Sequence, residues 1–95
     1  MLHEQIKNSI KEAMLAKNAD RLKALRNMSA AFTNELVAKR RKPSEMLTNE
    51  EALVVISRLV KQRNKSIEEF KKGNRDDLVK EESIELAILK TYLPS

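Results

Sequence analysis

The stretch from Glu51 to Pro94 most constrains what this chain can become. Apolar residues recur through it at the helical spacing, and the pattern breaks only at Gly73-Asn74. Folding at that break lays the two halves antiparallel. When residue numbers are paired to a constant sum, Ala52 meets Leu93, Ile56 meets Leu89, Leu59 meets Leu86 and Ile67 meets Leu78. Every pair sets apolar against apolar, and each fully buried Leu or Ile is worth roughly 1.5–3 kcal/mol. The same register sets Arg63 opposite Glu82. Both lie inside their stripes, about 20° and about 40° from neighbouring apolar positions at 100° per residue. A buried charge without a partner costs several kcal/mol, so a structural ion pair between them is expected.

The rest of the chain also reads as helix. Leu2, Ile6, Ile10, Ala13 and Met14 mark a first amphipathic helix over about 2–17. Asn18 or Asp20 supplies the cap for a second over about 20–39, with the stripe Leu25, Met28, Ser29, Phe32 and Leu36. Arg40 to Leu47 is the one real loop, stopped by Pro43. Thr48 and Glu51 have capping-box spacing and open a third helix over about 49–72. Gly73 is expected as its left-handed terminator, and Asn74 as the cap of a fourth over about 75–93. A single glycine and two prolines leave little turn chemistry for sheets. The expected fold is all-α, four helices with a long antiparallel hairpin formed by the third and fourth.

Function classes fall away quickly. There is no cysteine, which removes disulfides, thiolate nucleophiles and Cys-based zinc sites. The single histidine, His3, reads as a surface residue near the terminus and gives no serine a base. One glycine cannot build a phosphate loop. Aromatics make up only 3%, too few for a base-stacking platform. The methionines Met14, Met28 and Met46 read as core filling, and Leu15, Val54 and Val55 as candidates for exposure. No catalytic residue, metal or cofactor is expected. No run reaches the length of a membrane span, and the opening residues lack the pattern of a signal peptide, so the cytoplasm is the expected location.

Charge is uneven. Residues 1–47 carry ten Lys/Arg against five Asp/Glu, whereas residues 48–95 carry nine of each. The excess peaks at Lys39, Arg40, Arg41 and Lys42, with Arg21, Lys23 and Arg26 on the same helix as Lys39. These seven cations are the candidate nucleic-acid contacts.

Val60-Lys61-Gln62-Arg63, Ser66-Ile67-Glu68, Phe70, Asn74 through Val79, Lys80-Glu81-Glu82, Glu85 and Tyr92-Leu93-Pro94 together resemble the N-terminal helical domain of the GatB/YqeY family. The opening Ile10 to Met14, Asp20-Arg21-Leu22, Leu25-Arg26 and Asn34-Glu35 fit the same pattern, so the resemblance covers nearly the whole chain. It implies a chain that continues in the family into a second, smaller helical subdomain similar to the tail of GatB. GatB is the tRNA-binding subunit of the glutamine-dependent amidotransferase. Partners implied are tRNA and an amidotransferase or other protein. Two readings follow: an accessory module of tRNA-dependent amidation, or a helical protein adaptor with no RNA role. A third, carbon–nitrogen ligase activity with glutamine as amide donor, comes by family association alone, because no catalytic group in this chain can be matched to it.

Overall fold

A computed structural model describes residues 1–94. Four helices follow in order: α1 Leu2–Leu15, α2 Ala19–Ala38, α3 Asn49–Lys72 and α4 Asp76–Lys90. No strand occurs among the described residues. α1 pairs with α2, and α3 pairs with α4 more extensively than any other two helices. α2 touches both arms of the second hairpin, and α1 reaches α3. The outline measures 41 × 31 × 25 Å. At about 1.5 Å per residue the 24 residues of α3 span roughly 36 Å, most of the long dimension.

Burial is concentrated at one end. Phe32, Leu25, Met28 and Leu36 of α2 lose all solvent contact, as do Ile6 of α1, the loop residue Leu47, and Ala52 and Ile56 of α3. Leu89 closes this cluster from α4, and Leu59 and Leu93 pack on it. The far end of the hairpin is thinner. Ile67, Phe70, Leu78 and Val79 are only half-buried, because there α3 and α4 have little but each other to cover.

Local chemistry sets the boundaries. The Asn18 side chain accepts from the Arg21 N–H at the start of α2. Thr48 and Glu51 form a complete capping box on α3. α1 has no cap of its own; its Leu2 N–H donates to Asn49 Oδ1 at 2.7 Å. α1, α2 and α3 all end in the same motif, with a left-handed residue just past the cap: Lys17 (φ 55°), Arg40 (φ 58°) and Asn74 (φ 55°). In each, the next N–H closes back five positions: Asn18 to Ala13, Arg41 to Leu36, and Arg75 to Phe70.

That motif corrects the hairpin turn. Gly73 sits at φ −88°, where any residue is comfortable. Asn74 takes the left-handed position, whose backbone does not have the extended geometry of an N-cap. The N-cap of α4 is Arg75, without a side-chain bond. The helix ends also move inward. α1 stops at Leu15 instead of Lys17, because the closing turn consumes Ala16 and Lys17. α4 stops at Lys90 instead of Leu93, where tighter bonds from Thr91, Tyr92 and Leu93 N–H take over.

Three side chains differ from expectation. Met14, in the last turn of α1 at the edge of its stripe, is 52% exposed and fills no core. Val55 is buried at 2% exposure on the same face as Ile56, whereas Val54 is exposed. His3 is 2% exposed, not a surface residue. Its Nδ1 accepts from the Leu47 N–H at 2.8 Å, and its ring meets Phe32 edge-on with centroids 4.8 Å apart.

Candidate functional site

The basic run folds into its own counter-charges. The turn that ends α2 puts Arg40 in the left-handed conformation and sends Arg41 back beneath the start of α3. Arg41 Nη1 then lies 2.9 and 3.1 Å from the two Glu51 carboxylate oxygens, and its Nη2 donates to the Met46 carbonyl at 2.6 Å. Glu45 stands 3.8 Å from its Nε. Lys39 Nζ lies 3.8 Å from Glu35 and 3.7 Å from Glu51. Glu51 accepts from the Thr48 backbone as well as from Arg41, and the two together hold its carboxyl at a pKa of about 2. Two of the four cations are therefore engaged by carboxylates; no ion pair is formed by Arg40 or Lys42 among the described residues.

The other three candidates lie elsewhere. Arg21 and Lys39 are separated by eighteen positions of one helix, roughly 27 Å of rise. The seven cations thus form two groups at opposite ends of α2, not one pole. Arg21 is committed to structure. Its Nη2 donates to the Tyr92 hydroxyl at 2.7 Å, with the guanidinium 5.8 Å from the ring centroid, so it ties the end of α4 to the start of α2. Lys23 and Arg26 are exposed.

Between the ends of α2 lies a polar junction of three helices. Arg63 of α3 approaches Glu82 of α4 at 3.1 Å and Glu85 at 3.4 Å. Glu85 in turn accepts from Asn27 of α2 at 2.9 Å. Only the Glu85 contact has hydrogen-bond geometry; Arg63 Nε and Glu82 Oε2 are buried without hydrogen-bond partners. The junction is an ion cluster in line with the register of the apolar pairs of the hairpin. Glu85 and Asn27 escaped the sequence argument, although Glu85 lies one turn from Glu82 on the same face.

No three His, Asp or Glu among the described residues converge in a way that could hold a metal ion. His3 spends its Nδ1 on a backbone amide. A cleft of about 470 Å³ runs between α2 and α3 and is lined by Asn27, Ala31, Asn34, Val55, Arg58 and Leu59. Its lip is crossed by an Arg58 to Glu35 ion pair at 3.2 Å. No helix among the described residues is long and apolar enough to cross a membrane.

Comparison with known proteins agrees with this scaffold. The family model described as Yqey-like protein matches residues 3–95. Among curated proteins, the chain is 34% identical over 88 residues to "Altered inheritance of mitochondria protein 41, mitochondrial" of Eremothecium gossypii, covering 93% of this chain and 46% of that protein. The protein of the same name from Saccharomyces cerevisiae strain S288c is 36% identical over the same share of both chains. That of Vanderwaltozyma polyspora is 37% identical over 91 residues, or 95% of this chain and 47% of that protein. The chain therefore spans about half the length of the curated relatives it matches. By sequence match over residues 3–95, this chain belongs to the Yqey-like protein family.

Proposed function

We propose that the chain is a non-catalytic accessory module of tRNA-dependent amidation, linked to glutamine-dependent carbon–nitrogen ligase chemistry through its family and acting by contact with RNA. The observation that carries this reading is the match of residues 3–95 to the Yqey-like family; within that family it is the second, smaller helical subdomain that is similar to the tail of GatB. Its local support is the exposed cations: Arg40 and Lys42 at one end of α2, Lys23 and Arg26 at the other. The amidation step itself would belong to a partner enzyme. Its place of work is proposed to be the cytoplasm; the mitochondrial designation is that of the yeast relatives.

Salt dependence tests it. Contact through Arg40 and Lys42 alone would weaken tRNA binding about sevenfold between 50 and 200 mM salt, and contact through all four cations roughly fifty-fold. Arg40→Ala with Lys42→Ala should flatten the slope. Binding no more salt-dependent than that of an equally basic helical control would end the proposal.

A second reading, a protein adaptor, draws on one specific observation. Arg41 and Lys39 are taken up by Glu51, Glu35 and Glu45, while Leu15 and Val54 stand 86% and 57% exposed. Partners that survive both ribonuclease and high salt would favour it, because apolar contacts are not screened.

A further inference from the structure

The loop carrying Arg40 and Lys42 is fastened to the opposite end of the chain through one buried ring. Leu47 closes that loop, and its side chain is fully buried. Its amide is satisfied by His3 Nδ1, forty-four residues away. One residue earlier, the Leu2 N–H is satisfied by Asn49 Oδ1. The first turn of α1 and the entry to α3 are therefore stitched together by two hydrogen bonds, of which only the histidine bond can titrate.

We propose that the His3 to Leu47 contact is a proton-operated latch: protonation of the imidazole releases residues 40–47 from α1 while the helices stay packed. An Nδ1 that accepts from an amide must be unprotonated, so the neutral ring carries its proton on Nε2. A second proton converts Nδ1 to a donor facing another donor across 2.8 Å, and places a cation in a buried site. Among the described residues no carboxylate pairs with the ring. At this end of α1 stand the Met1 ammonium, Glu4 and Lys7, and Lys7, one turn on, repels it. α2 presents the Phe32 ring. On the loop and the start of α3 stand Arg41, Glu45, Glu50 and Glu51, with Arg41 drawing both Glu45 and Glu51 to itself. Burial first and Lys7 second hold the pKa of His3 below its ordinary 6.5. Glu51, at about 2, stays ionised throughout that range, so the capping box is not the group that changes.

The test is amide hydrogen exchange on the whole chain at several pH values, corrected for intrinsic rates, beside an NMR titration of the His3 ring. Protection at Leu47 should fall by up to tenfold per pH unit from 6.5, where a released ring would titrate, down to the lower midpoint of the buried ring, and level off below it. Amides of Leu25 to Leu36 in α2 should keep theirs. In His3→Asn the side-chain oxygen replaces Nδ1 as acceptor without titrating, and Leu47 protection should no longer depend on pH. Ring titration without a change at Leu47, loosening that persists in His3→Asn, or simultaneous loss across α2 would each overturn the latch. Should His3→Asn fail to fold, coincidence of the ring and Leu47 midpoints in the unmodified chain decides. The readout is local protection, so the outcome is independent of whether RNA binds.

Discussion

At the scale of single residues, the α3–α4 turn makes the sharpest prediction. A Cβ on Gly73 would find nothing closer than the Glu69 carbonyl oxygen at 3.7 Å, an ordinary contact, and its φ is negative. Gly73→Ala should therefore raise stability by about 0.4–1 kcal/mol by restricting the unfolded chain, as urea unfolding would show. Asn74→Ala, at φ 55°, should lower it by about 1–2 kcal/mol. The opposite result for the pair would mean that Gly73 is the left-handed residue after all. Arg63 is the second such case. Arg63→Met leaves Glu82 and Glu85 facing each other without a cation. With Arg63 a quarter exposed, the fully buried penalty is discounted to about 1–3 kcal/mol. Replacing Glu82 by Leu in the same chain should recover part of that loss in a double-mutant cycle.

Among elements, α3 owes its start to Thr48 and Glu51, which satisfy its free N–H groups and, through Arg41, hold the loop. Thr48→Ala should cost about 1 kcal/mol of stability by urea titration. Glu51 adds a pH dependence whose sign is fixed. Its folded pKa of about 2 lies below the ordinary 4.5, so its contribution is complete above 4.5 and fades as pH falls toward 2. The stability gap between the unmodified chain and Glu51→Gln should therefore narrow below pH 4.5; a gap constant down to the acid limit would deny the carboxylate that role. At this scale sequence reading succeeded where the signal was short-range. The capping box, the Asn18 cap and the hairpin register all depend on spacings within one or two helices. It failed at Met14, Val55 and His3 because a stripe read from periodicity has no knowledge of where the neighbouring helix stops.

For the whole molecule, the uneven core implies uneven stability. Phe32 is fully buried among residues of α1, α2 and α3, so Phe32→Ala should cost about 3–5 kcal/mol. The half-buried hairpin tip rests on two helices alone. Amide exchange should show residues 64–72 and 76–82 opening before Leu25 to Leu36, and uniform protection would contradict that gradient. Electrostatics are also decided at this scale. The net charge of +5 is unchanged by folding, but the chain path brings Glu51 and Glu45 onto the run from Lys39 to Lys42 and splits the candidate cations between the two ends of α2.

Spacing along the chain by itself determined the four helices, the break between the last two and the pairing of Arg63 with Glu82. Each follows from periodicity and register, which are properties of nearby residues on a regular helix. Tertiary structure alone decided which charges remain free, that Asn27 and Glu85 join the Arg63 cluster, and that His3 leaves the surface to hold Leu47. Those contacts join residues far apart in sequence, and their energies arise only when packing has removed the water between them.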